Sequence, residues 1–184
     1  MGIPTLIKTL TASGDSSLSF VDGTADVTLD STYDEYMFVF TDIGPATDAA
    51  DFSFQMNVAA GSGYNETITS SFFSAEHDEA GGSGYLLSYR SGEDQAQGTS
   101  FQILADSVGN GSDESCAGIL HLFSPSNTTY VTHFYSTMSV YRSTNNQRQE
   151  YVAGYFNLTG AVDEIQFKMS SGNFDGVIQM YGIS

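Results

Sequence analysis

Asp51-Phe52-Ser53-Phe54-Gln55-Met56-Asn57-Val58 alternates polar and apolar residues without a break. In an extended chain successive side chains point to opposite sides, so Phe52, Phe54, Met56 and Val58 share one face. A helix would scatter the same residues around its axis. The stretch is therefore expected to be a half-buried strand. Outward from it, Tyr36-Met37-Phe38-Val39-Phe40 is apolar on both faces, as a central strand is, and Ile119-Leu120-His121-Leu122-Phe123 is similar. Residues 130–141 read as a long strand rich in aromatic and β-branched side chains, followed by strands over 150–158, 164–169 and 177–183. Shorter strands are expected over 5–11, 18–21, 26–29, 67–75, 85–89 and 101–104.

Gly, Ser, Asn and Asp separate these runs. Asp22-Gly23 has the chemistry of a tight hairpin turn, and Ser170-Ser171-Gly172-Asn173 joins the last two strands. Helix is expected only as single turns near 45–50 and 93–97. About a dozen short strands at this spacing predict an all-β fold, an antiparallel, jelly-roll-like β-sandwich. No linker or composition break divides the chain, so residues 1–184 read as one domain. Gly-Ser-Gly-Tyr occurs at 61–64 and 82–85, but the flanks do not match, and the two copies read as loops entering strands rather than as a repeat.

The 184 residues carry 22 Asp and Glu against five Lys and Arg, a net charge of −17. A chain this acidic cannot build the basic face that phosphate backbones require, and anionic lipid would repel it. Nucleic acid and membrane are thus not expected partners. No stretch approaches the length of an apolar membrane span, and residues 1–5 lack the charged and apolar regions of a signal peptide. A lone cysteine, Cys116, permits no intrachain disulfide and reads as a buried core thiol. The 13 Phe and 11 Tyr exceed what one core obviously needs and point also to protein–protein interfaces, so an oligomer is expected, a homotrimer above others.

Motifs for catalysis and cofactors are missing: there is no Gly-x-Ser-x-Gly, Walker A, Gly-x-Gly-x-x-Gly or His-Glu-x-x-His. His121 and His133 read as strand residues, whereas His77 reads as part of an acidic loop. No Cys or His spacing suits a transition metal. Calcium is the one ion left open, because Asp22, Asp26, Asp30 and Asp34 recur every fourth residue and acids pair at 93–94, 113–114 and 163–164. The EF-hand spacing is absent, and a solvated, salt-tolerant surface accounts for the same acids. A glycosidase would want paired carboxylates beside Trp, which the chain lacks. The four Asn-x-Ser/Thr sequons carry no weight in a chain so rich in Ser and Thr.

Three segments resemble known proteins. They are residues 2–40, from Gly2-Ile3-Pro4-Thr5-Leu6-Ile7 to Tyr36-Met37-Phe38-Val39-Phe40; the middle stretch Ser124-Pro125-Ser126-Asn127-Thr128-Thr129-Tyr130; and the close from Glu164 through Met180-Tyr181-Gly182-Ile183. Together they resemble small β-sandwich virion proteins of tailed bacteriophages of marine and cyanobacterial hosts. The resemblance implies a jelly-roll-like, non-enzymatic subunit on the particle surface, made in the host cytoplasm and bound to other virion proteins of capsid or tail. It implies no catalytic residue. A first strand beginning so near Met1 suits a capsid decoration or short head-fibre protein better than a shafted tail fibre. Residues 1–10 are expected to dock the subunit, with Ile3, Leu6, Ile7, Val177 and Ile183 as docking or trimer contacts. The alternative is a tail-fibre-type receptor-binding module gripping host glycan through Tyr64 and Tyr85, with or without calcium. A polysaccharide depolymerase is a weaker rival.

Overall fold

The first four strands of the chain pair with later ones in reverse order, as though one long hairpin had been rolled up. The computed structural model describes residues 2–59, 61–81 and 85–184. Among these the chain forms thirteen strands and no helix. They are β1 (Thr5–Asp15), β2 (Ser17–Val21), β3 (Glu35–Pro45), β4 (Ala50–Val58), β5 (Ile68–Asp78), β6 (Leu86–Tyr89) and β7 (Ala96–Gly98), then β8 (Gln102–Val108), β9 (Cys116–Phe123), β10 (Thr132–Arg142), β11 (Asn146–Phe156), β12 (Val162–Met169) and β13 (Phe174–Ile183). Every pairing is antiparallel: β1 with β13, β2 with β12, β3 with β9 and β4 with β8 form the rolled hairpin. This is jelly-roll pairing.

Two hydrogen-bonded runs result. The short one is β8-β4-β12-β2; the long one begins β1-β13-β3-β9-β10 and continues through β11 to β5, which carries β6 and β7. The runs meet through the single pair Arg142↔Val108 at one edge. At the other, β1 passes into β2 across Ser16, so the sheet nearly closes on itself. The segments β5–β7 and β10–β11 are insertions into the rolled hairpin, and both widen the long run.

Phenylalanine fills the space between the two runs. Phe167 of β12 lies 5.2 Å from Phe40, 5.3 Å from Phe38 and 6.0 Å from Phe52, mostly edge-on or tilted as ring quadrupoles prefer. Phe54 extends the cluster to Phe134 and Phe156 under the inserted hairpin. Of the 13 phenylalanines all but Phe73, Phe101 and Phe123 are buried, whereas of the 11 tyrosines only Tyr36 is. The aromatic excess thus divides: Phe builds the core, and Tyr largely faces outward.

Several expectations change in three dimensions. The strand at 51–58 is buried on both faces, because the polar side is roofed by neighbouring loops. Gln55 lies in it fully buried, its Nε2 donating to the carbonyls of Glu66, Thr99 and Ser100. Residues 26–29 form no strand. Asp22-Gly23 opens a closed loop instead of a hairpin, with Asp22 Oδ1 accepting from the Leu29 amide at 2.8 Å while Val27 and Leu29 drop into the core. The turns near 45–50 and 93–97 are not helical, and the second leads into the short strand β7. At Gly176 a bulge in β13 needs φ +135°, and a Cβ would sit 2.7 Å from Ile43 Cδ1, so only glycine fits.

Candidate functional site

Widening the long run creates a broad outward face, and register shows what lies on it. Because strand side chains alternate, each inward Phe, Leu or Met leaves its neighbours pointing away from the core. Following the paired residues across the strands, one row reads Ile183, Glu35, Phe123, His133, Tyr155 and Thr69. The next reads Tyr181, Met37, His121, Tyr135, Ala153 and Ser71, and a third Gln179, Val39, Ile119, Thr137, Tyr151 and Phe73. Ala117, Ser139, Gln149 and Ala75 begin a fourth, which β6 extends with Leu87. Across these rows the only charged side chain is Glu35, in a protein of net charge −17.

Aromatic contacts organise the face. His121, only 8% exposed, stacks on Tyr135 with ring centres 4.5 Å apart and planes at 14°. Its Nδ1 is hydrogen-bonded to the Glu35 carboxylate, so the one charge present already has a hydrogen-bond partner. Phe73 and Tyr151 stack across β5 and β11 at 4.8 Å and 11°, and Tyr89 of β6 is the register partner of Phe73. The Tyr89 hydroxyl donates to Asp94, and that bond raises the Tyr89 pKa. Phe73, Tyr89, Tyr135 and Tyr151 all remain exposed. Beside this ridge lies a shallow hollow of about 580 Å³, floored by the small residues Ser71 and Ala153 and walled by Phe123, His133, Tyr135 and Tyr155. A groove of about 500 Å³ adjoins it around Asn127, Tyr130 and Thr159, sharing Phe123 and His133.

Beneath the far edge of the same insertion sits a charged cluster that sequence reading missed. All three arginines of the chain converge on Asp106 of β8. Its Oδ2 lies 2.5 Å from Arg148 Nη1, 2.9 Å from Arg142 Nη2 and 3.6 Å from Arg90 Nη2. Arg148, 3% exposed, also donates to Glu76 at 2.6 Å and lies 3.4 Å from Glu150. Burial raises the pKa of Asp106, but the Ser107 hydroxyl bond and the guanidinium groups outweigh it and hold the carboxyl below its ordinary value. Glu150 is fully buried, and burial drives its carboxyl up to about 8. No spacing links residues 76, 90, 106, 142, 148 and 150; only the pairing of β5, β8, β10 and β11 does. The cluster fastens the two runs where they share a single backbone pair.

The residues singled out from sequence are dispersed. Ile3 is exposed, and Leu6 pairs with Tyr181 at the margin of the outward face. Val177 and Ile183, half-buried, lie on β13 between β1 and β3. Ile7 instead sits in a bulge of β1 and turns toward the core. Apart from Met1, which lies outside the described residues, the expected docking segment is no free arm: from Thr5 onward it is paired with β13. Tyr64 packs on Phe101 and donates to Ser19 Oγ at 3.2 Å, and burial raises its pKa. Tyr85, 65% exposed, stands edge-on to His77; the two tyrosines share no contact, and Gly82–Gly84 of the second Gly-Ser-Gly-Tyr lie outside the described residues.

Among the described residues no group of three or more His, Cys, Asp or Glu is arranged to hold a metal ion. Asp22 and Asp30 turn their carboxylates onto backbone amides of their own loop. Cys116 is buried, and burial, with Glu150 nearby, raises its thiol pKa far above the ordinary value.

No family model matches this chain. A search of curated proteins likewise finds no relative. Among the described residues the most distinctive feature is the aromatic face, on which Glu35 is the one charged side chain.

Proposed function

We propose that the chain is a non-enzymatic structural protein of a tailed-phage virion, displayed on the particle surface as a capsid decoration or short head-fibre protein. The resemblance of its sequence supplies the setting. The observation that carries the assembly role is the outward face of the long run. Interface cores are depleted of charge and enriched in Tyr, Phe and Met, and this face has that composition while the rest of the molecule is densely acidic. It is where another protein can approach without bringing carboxylates together.

The test is immunogold labelling of purified particles of the encoding phage with antibody to this chain. Label at regular positions on the head is the expected result. Particles without the chain, by labelling and by mass spectrometry, would refute the proposal. Label at the tail tip would favour the second reading, a receptor-binding module for host glycan. That reading draws on exposed Tyr85 and Tyr130, the latter lining the end groove. A glycan array with and without chelator reads it directly.

A further inference from the structure

We propose that the occupant of the nearly uncharged face is a second copy of this chain, related by a two-fold axis in place of the three-fold axis of the expected homotrimer, with the aromatic ridge of each copy seated in the hollow of the other. The inference rests on the face being an interaction surface, as proposed above, but not on the virion setting.

Three observations lead to it. The first is charge. Two copies at −17 repel wherever their carboxylates meet, and the rows around Tyr135 and Tyr151 are where they can touch without that cost. The second is size. A two-fold axis between ridge and hollow passes near β11, so the contact spans β9 to β6: five strands about 4.8 Å apart and four rows about 6.8 Å apart make a patch of about 650 Å² on each copy, about 1,300 Å² in all and within the ~1,200–2,000 Å² of a specific interface. The third is shape. A two-fold contact must be self-complementary, bringing residue i onto j and j onto i. Here ridge and hollow occupy neighbouring rows: Tyr151 and Phe73 project two residues along their strands from Ala153 and Ser71, which floor the hollow. Turning one copy over the other brings each ridge over the opposite hollow. Tyrosine suits both situations, since its ring packs and its hydroxyl remains hydrated when the copies part.

The test uses the full chain, with light scattering coupled to size exclusion and sedimentation equilibrium at micromolar concentrations. A particle of twice 19.7 kDa is expected. Tyr151→Glu on the ridge and Ala153→Arg in the hollow each change an exposed side chain, so unchanged circular dichroism and melting temperature verify the fold. Each alone should weaken the pair at least about tenfold, as loss of a central interface contact does. Mixing the two variants should restore a heterodimer, because the introduced acid of one copy meets the introduced guanidinium of the other while the second ridge–hollow contact remains native. A monomer, an assembly of another order, a pair that both variants leave intact, or a mixture that stays monomeric overturns the proposal. A monomer that still binds particles through Tyr151 would overturn self-pairing and leave the virion role standing. A dimer found on no particle would do the reverse.

Discussion

Replacing Glu150 by glutamine should make this protein more stable, and increasingly so as the pH rises. Glu150 points inward from β11 and is 0% exposed. It accepts the Asp106 amide at 2.9 Å, but its nearest cation, Arg148, lies at 3.4 Å and is closer to Asp106 and Glu76. Desolvation therefore dominates and raises the carboxyl from 4.5 to about 8. With the folded pKa above the unfolded one, the fold retains a proton that the unfolded chain gives up. The stability this group allows is complete below pH 4.5 and is lost as pH rises through 8. Relative to a side chain that does not titrate, linkage makes the cost about 3 kcal/mol greater at pH 8.5 than at pH 5.5. Glutamine keeps a carbonyl for the Asp106 amide. Any contact it loses to Arg148 is independent of pH and cancels between the two conditions. Urea unfolding of both proteins at pH 5.5 and 8.5, followed by far-UV circular dichroism, should thus show the advantage of Glu150→Gln growing by about 3 kcal/mol. A difference that stays constant within about 0.5 kcal/mol would mean that Glu150 titrates as an ordinary carboxyl, and the account of this cluster would fail.

Four further outcomes test the rest of the fold. Phe167→Ala empties the meeting point of the phenylalanine core and should cost about 3–5 kcal/mol in urea unfolding. Asp106→Ala strands three guanidinium groups at the seam between the runs and should cost about 3–5 kcal/mol, whereas Asp94→Ala on the surface should cost under about 0.5 kcal/mol. Gly176→Val forces a β-branched residue to φ +135° against Ile43 and should lower the melting temperature by several degrees, at about 2–4 °C per kcal/mol for a chain of this size. Cys116 should be inert to a thiol reagent at pH 8 in the folded protein and react at once in denaturant; rapid modification of the native chain would contradict its burial.

How far the candidate face could be read in advance depends on what fixes each part of it. That Tyr135 and Tyr151 sit opposite inward Phe134 and Val152 is implied by alternation alone. That Phe73, Tyr151 and Tyr89 stand side by side is not, since they come from three strands whose partnership no local pattern encodes. The same holds for Arg90, Arg142 and Arg148, which share Asp106 only after β5 with β6, β8, β10 and β11 are in place. Tyr64 and Tyr85 show the converse. Identical tetrapeptides suggested matched roles, yet one phenol is bonded to Ser19 and the other ring stands in solvent beside His77.

Taken by itself, the sequence determined the class of fold. Period-two alternation at 51–58, double-faced apolar runs at 36–40 and 119–123, and turn residues between them suffice, because side-chain direction along a strand depends only on position within that strand. The tertiary structure decided everything that depends on which strand lies beside which. It roofed the polar side of β4, turned Ile7 inward at a bulge, drew every arginine to one aspartate, and brought Tyr89, Tyr135, Tyr151 and Tyr155 onto a face almost free of charge. Pairing between distant strands is set by the summed burial of the whole core rather than by any segment's own pattern, so those features appear only once the chain has folded.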